Sequence, residues 1–240
     1  MSARLRIVAL WIAVLGTVAI AAGQETSAPR TPQEALGLLK AGNDRFARNL
    51  SSPVSLSVNR RRELAEAQHP VAMVLSCADS RVPPEYVFNV GLGDLFVVRT
   101  AGEVIDRSIL ATLEYGAEHL QIPLLVVMGH ESCGAVKAAA ESKSASTSPN
   151  LDYMLKAIQA ARRQPPQERV APEQREEIKA LVLANVEQSI NDAMAKSPML
   201  QRLVDAGRLN VVGAYYELVS GRVIFSEPVT AETAPRDARR

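Results

Sequence analysis

Three short apolar runs, at residues 71–76, 95–98 and 124–128, constrain this chain more than any other feature. Each has the length of a strand, and none alternates between apolar and polar residues. Continuous runs of this kind suit strands covered on both faces, as in a parallel sheet with helices on either side. The segments between them supply such helices. A helix is expected from Pro32 to about Asn49, opened by Thr31 and Glu34 as a capping box with proline in the first turn, and with Leu36, Leu39 and Phe46 among its apolar positions. Asp106 is placed to cap a second helix running to about Leu120. Residues 135–141 and 176–196 carry further helical patterning, and Arg60, Arg61 and Arg62 read as an exposed helix face. Residues 209–217 and 223–225 form strands around Ser220-Gly221, a hairpin signal. Residues 142–150 and 163–174 are polar, proline-containing connections. The expected fold class is α/β, with a central, largely parallel sheet flanked by helices and a C-terminal strand hairpin.

The chain has 240 residues, of which 47% are hydrophobic, enough for one domain with a substantial core. Its 27 Lys and Arg nearly balance 26 Asp and Glu. There is no basic run interleaved with aromatic residues, so a nucleic-acid partner is not expected. The N-terminus departs from this neutral composition. Arg4 and Arg6 precede an apolar stretch at 7–20, followed by the small residues Ala19 and Ala21 flanking Ile20. This order is that of a secretory signal peptide, and the apolar stretch falls short of the roughly 20 residues that span a bilayer. Residues 1–23 are therefore expected to be a removed leader and 24–30 a linker. The folded domain is expected at 31–228 and a flexible polar tail at 229–240. The mature protein is expected to be secreted or periplasmic, with no membrane association. In such a compartment the two cysteines, Cys77 and Cys133, invite one disulfide.

The residues around those cysteines favour another use. The run at 71–76 leads directly into Cys77-Ala78-Asp79-Ser80-Arg81, and the run at 124–128 into Gly129-His130-Glu131-Ser132-Cys133-Gly134. Ligand sites in open α/β sheets gather beyond the carboxyl ends of strands. Two thiolates, an imidazole and a carboxylate are a donor set that Zn²⁺ accepts in tetrahedral geometry. His130 and Cys133 are close enough in sequence to face one point, and a helix beginning after Cys133 favours its thiolate. Arg81 is spaced to pair with Asp79 and so to compete with a metal for the same carboxylate. A site of Cys77, Asp79, His130 and Cys133, holding one zinc per chain, is expected.

These motifs resemble the paired signature of the β-class carbonic anhydrases. The resemblance extends through Arg81-Val82-Pro83-Pro84-Glu85, Gly93-Asp94-Leu95-Phe96-Val97-Val98-Arg99, Thr100-Ala101-Gly102, Leu113-Glu114-Tyr115-Gly116-Ala117 and Gly134-Ala135-Val136. It also takes in Gly42-Asn43-Asp44-Arg45-Phe46 near the start, and the segment from Val211 to Val223 near the end. It implies reversible hydration of carbon dioxide to bicarbonate, with a hydroxide on zinc as nucleophile. Cys77, His130 and Cys133 would be the lasting ligands. Asp79 and Arg81 would form a catalytic dyad that opens or closes the fourth position. The resemblance further implies that Gly102 and Tyr115 line the substrate pocket and that the protein is a homodimer or a multiple of dimers. Glu103 departs from the family's frequent asparagine after Ala-Gly, and Val90 falls where some members carry an aromatic residue. Two alternatives use the same metal site: hydrolysis of carbonyl sulfide or carbon disulfide, and a non-catalytic zinc protein with Asp79 permanently on the metal. A metal-free disulfide protein would leave His130, Asp79 and Arg81 without a role.

Overall fold

The computed structural model describes residues 31–52, 54, 56–142, 146, 148–161, 174–230 and 233. The predicted leader and linker, nearly all of the connection at 163–174 and most of the tail lie outside the described residues. Five strands form one sheet: β1 (Ala72–Cys77), β2 (Leu95–Thr100), β3 (Leu124–His130), β4 (Asn210–Tyr216) and β5 (Val223–Phe225). Their order is β2-β1-β3-β4-β5. The first four pair in parallel, and β5 closes the sheet antiparallel to β4 as the C-terminal hairpin. Every residue of β1, β3 and β4 is buried, whereas β2 is the half-covered edge. Its apolar run, which suggests cover on both faces, is met by only partial cover because β2 pairs on one side alone.

Eight α-helices flank the sheet among the described residues: α1 (Pro32–Ala47), α2 (Val58–Glu66), α3 (Pro84–Val87), α4 (Arg107–Glu118), α5 (Gly134–Glu141), α6 (Pro149–Ala161), α7 (Gln174–Lys196) and α8 (Pro198–Asp205). Alternate strand residues point to opposite faces, and the core divides accordingly. Met73, Leu75, Leu125 and Val127 pack with Leu113 of α4, Ile190 of α7 and Leu200 of α8. Ala72, Val74, Leu124 and Val126 pack with Leu39 of α1 and with Val87 and Phe88 at α3. Each such side chain taken out of water contributes about 1.5–3 kcal/mol, so both faces of the sheet must be covered for the domain to hold.

Local signals account for the ends of the helices. Thr31 Oγ1 accepts from Glu34 N (3.2 Å) and Glu34 Oε2 from Thr31 N (3.1 Å), so the expected capping box is present. Asp106 caps α4 by accepting from Ile109 N at 2.8 Å. Two helices lie outside the segments expected to be helical. α6 begins at Pro149, inside the expected loop 142–150, directly after its serine-rich part. α8 is separated from α7 by Ser197 alone, whose Oγ accepts from Leu200 N at 3.1 Å and restarts the helix in a new direction. The tail is also anchored further than expected, because Val229 bridges Val211 and packs against the core.

The chain passes from β1 outward to β2, then crosses back over β1 to β3 on the other side. The strand order therefore reverses between β1 and β3, and the crevice expected beyond their carboxyl ends is where ligands bind in sheets of this kind.

Candidate metal centre

Cys77 is the last residue of β1 and His130 the last of β3, so both side chains stand at that crevice. Beyond β1, Ala78 N donates to Thr100 O (3.0 Å). Arg99, from β2, donates through Nε to Cys77 O (2.9 Å) and through Nη2 to Asp79 O (2.5 Å), which fixes the segment 77–79. Beyond β3, Glu131 N donates to Tyr216 O at 2.8 Å, and Ser132 turns the chain through a positive φ of 54°. Cys133 follows as the N-cap of α5.

The three donor atoms of Cys77, His130 and Cys133 lie within 4.8 Å of one another, and all three residues are buried. The cysteines are free thiols with sulfurs 3.9 Å apart, so the disulfide alternative is not taken. Sulfurs each about 2.3 Å from a tetrahedral zinc would be separated by about 3.8 Å. His130 Nδ1 lies 2.9 Å from Glu131 O, an arrangement in which Nδ1–H donates and Nε2 keeps its lone pair. That Nε2 is buried with no hydrogen-bond partner, a costly state for a polar atom unless something binds it. The thiol pair shows the same need. A hydrogen bond from Cys133 holds the Cys77 thiol well below its usual pKa, aided by the amide of Gly102, while that same bond and burial push Cys133 upward. One thiolate forms readily and a second beside it is resisted; a divalent cation removes that conflict. The residues fit a zinc ion.

Asp79 stands at the edge of this triad. Arg81 grips it with Nε to Oδ1 (2.9 Å), Nη2 to Oδ2 (2.7 Å) and its own backbone N to Oδ1 (2.9 Å). Arg81 Nη2 also donates to Ser132 O at 3.3 Å, joining the two loops. The Arg81 hydrogen bonds hold the Asp79 carboxyl well below the usual carboxylate range. Its Oδ2 is 3.8 Å from His130 Nε2, so Asp79 is engaged by arginine yet adjacent to the donor atoms.

Of the two expected pocket residues, Gly102 is at the centre: its N–H donates to Cys77 Sγ at 3.4 Å. Tyr115 is half exposed on α4, its ring 6.3 Å from that of Phe96 and 5.1 Å from that of His119, and it borders a groove with Leu64, Leu92 and Leu120. Glu131, lying between two donors, is a structural group whose Oε2 accepts from Leu218 N at 3.0 Å. Glu103 is fully buried, and burial raises its carboxyl to about 8. The sequence marks Glu103 as a departure but gives no sign of its burial. It gives none of the role of Arg99 either, although the position of Arg99 in the quoted motif was the available signal.

Comparison with known proteins agrees with this geometry. The family model described as carbonic anhydrase matches residues 72–223. Carbonic anhydrase 2 of Mycobacterium tuberculosis is 37% identical over 205 residues, covering 82% of this chain and 94% of that protein. A Coccomyxa β-carbonic anhydrase solved with acetazolamide superposes with a TM-score of 0.66 at 26% identity, covering 85% of this chain and 89% of the other. One of two tetrameric β-carbonic anhydrases from Sordaria macrospora shares the fold with a TM-score of 0.64 at 23% identity, covering 80% of this chain and 95% of the other.

Proposed function

The chain belongs to the β-class carbonic anhydrase family and is an enzyme of that family, and we propose that it uses zinc to hydrate carbon dioxide reversibly to bicarbonate and a proton. The observation that carries this reading is the buried triad of Cys77, His130 and Cys133, with His130 Nε2 unpartnered and Asp79 held beside it by Arg81. Three protein ligands are the pattern of catalytic zinc sites, and four that of closed structural ones. When bound, the ion supplies Lewis acidity, which brings the pKa of water from 15.7 toward about 7 and so makes a nucleophile available at neutral pH.

The chain's own groups do the rest. Arg81 keeps Asp79 occupied, so an ion held by the triad would remain open to water. Asp79 stays ionised, so its oxygens can only accept hydrogen bonds, and Oδ2 faces the triad. It orients the attacking water through the O–H it accepts, and its low basicity sends the released proton on to solvent. Gly102 takes part through its amide beside Cys77. Tyr115 borders a groove before the amino ends of β2 and β3, at the other end of the strands from the triad. In this proposal it therefore reaches a substrate pocket only through assembly, and exchange for Phe would read that as a change in KM. The proposal includes export to the periplasm or medium after loss of residues 1–23, and assembly as a homodimer or multiple of dimers.

The test is stopped-flow hydration of carbon dioxide by the mature protein between about pH 6.5 and 9, with zinc per chain measured on the same sample. One zinc per chain with rapid hydration is expected. Zinc without hydration would transfer the site to a carbonyl sulfide or carbon disulfide hydrolase, or to a closed binding protein. Absence of zinc would sink the proposal.

A further inference from the structure

The 3₁₀ turn at Ala101–Glu103 holds two consecutive residues in the left-handed region, Gly102 at φ 68° and Glu103 at φ 42°. Glycine suits the first, because φ 68° disfavours any side chain and a Cβ there would also press on Ile158 Cδ1 at 2.7 Å. A glutamate at the second is strained, and such strain persists only where surrounding structure over-determines it.

The surrounding structure is one face of α7. Asn185 Nδ2 donates to Gly102 O at 2.8 Å and to Glu103 Oε1 at 2.8 Å, and Ser189 Oγ donates to Glu103 O at 3.0 Å. Asn185, Ser189 and Glu103 are all buried, so these bonds act without competition from water. The other side of the same turn meets the metal centre, where Gly102 N donates to Cys77 Sγ. The direction of that amide is set by the turn, and the turn is set by α7.

We propose that Asn185, supported by Ser189, is a positioning residue of the metal centre: it fixes the 101–103 turn so that the Gly102 amide donates to the Cys77 sulfur. This rests on the reading of Cys77, His130 and Cys133 as metal ligands. An amide hydrogen bond draws electron density from a ligand thiolate and fixes its orientation. Losing it leaves the sulfur a stronger but less well-placed donor. Outer partners of this kind typically set metal affinity or activity by about 10–100-fold.

The test compares wild type, Asn185→Ala and Met194→Ala in the full mature chain. Zinc affinity is measured by competition with a chelator, and the thiolate-to-metal charge-transfer absorption is recorded with cobalt(II) in place of zinc. Met194 is buried later on the same helix and touches the core alone, so its truncation lowers thermal stability without moving affinity or absorption. Asn185→Ala is expected to weaken zinc binding by about 10–100-fold and to shift the cobalt absorption. A folded Asn185→Ala with wild-type affinity and absorption overturns the inference. Should that variant fail to fold, Ser189→Ala is expected to move both readouts the same way by a smaller amount, and no movement there overturns the inference too. A wild type that takes up neither metal would overturn the metal-centre reading itself.

Discussion

Three hydrogen bonds from one arginine converge on Asp79, and that concentration sets what each partner does when the other is removed. Asp79→Asn keeps the triad intact, so zinc should stay while hydration slows by about 10²-fold; turnover at the wild-type rate would remove Asp79 from the mechanism. Arg81→Ala frees a carboxylate whose Oδ2 already lies 3.8 Å from His130 Nε2. Activity should fall with zinc retained, and adding Asp79→Asn to Arg81→Ala should restore part of it. A double variant slower than Arg81→Ala would show that Arg81 does not act by holding Asp79. Glu103 gives a stability prediction. Its pKa is raised by burial from 4.5 to about 8, so the folded state holds a proton that the unfolded chain releases. The contribution of Glu103 to stability is then fully present below about pH 4.5 and is lost through the window up to about pH 8, by on the order of 3 kcal/mol at pH 7. Denaturation of wild type and Glu103→Gln across this range should differ in slope, the variant lacking that part of the decline. Parallel curves would mean that Glu103 is not protonated in the fold. The donors and the Asp79–Arg81 pair are legible in the sequence because each lies within a few residues of its neighbours at a strand end. Glu103, Asn185 and Ser189 are not, because their partners are more than eighty residues away and an isolated Asn or Ser on a helix has no local mark.

Among the elements, the order reversal between β1 and β3 is what brings two sequence-distant loops to one point. The apolar runs reveal the strands because buried parallel strands have no polar face to interrupt them. α6 and α8 are less legible: one starts in a serine-rich segment, and the other is a single short amphipathic element whose direction comes from the Ser197 cap. α1 is both legible and specifically docked. A Cβ on Gly42 would fall 1.8 Å from Phe88 O, so the helix approaches backbone directly at that point. The next residue, Asn43, donates through Nδ2 to Val87 O (3.0 Å) and Gly221 O (2.9 Å) and accepts from Val223 N (2.8 Å), tying α1 to α3 and the hairpin at once. Gly42→Ala must push α1 away and loosen these bonds, so chemical denaturation should show a loss of about 2–3 kcal/mol. The triad is built by other residues, at the ends of β1 and β3, so the loss should appear in stability more than in zinc affinity. A variant as stable as wild type would mean that the helix can shift without cost.

For the molecule as a whole, the sheet has helices on both faces yet leaves sizeable apolar side chains in water. Tyr86, Leu92, Tyr115 and Val219 are all exposed. Single exposed apolar residues are ordinary, but Leu92 and Tyr115 share one groove with Leu64 and Leu120, and contiguous patches are where protein surfaces associate. Light scattering should therefore give a mass of two chains or a multiple of two, counted in chains of 25.9 kDa, or somewhat less if residues 1–23 are removed as proposed. The mass should also be independent of zinc loading if the surfaces that associate are built by the core and not by the metal centre. A single-chain mass at micromolar concentration would refute the assembly, and would leave the groove beside Tyr115 as solvent-facing surface in the working enzyme.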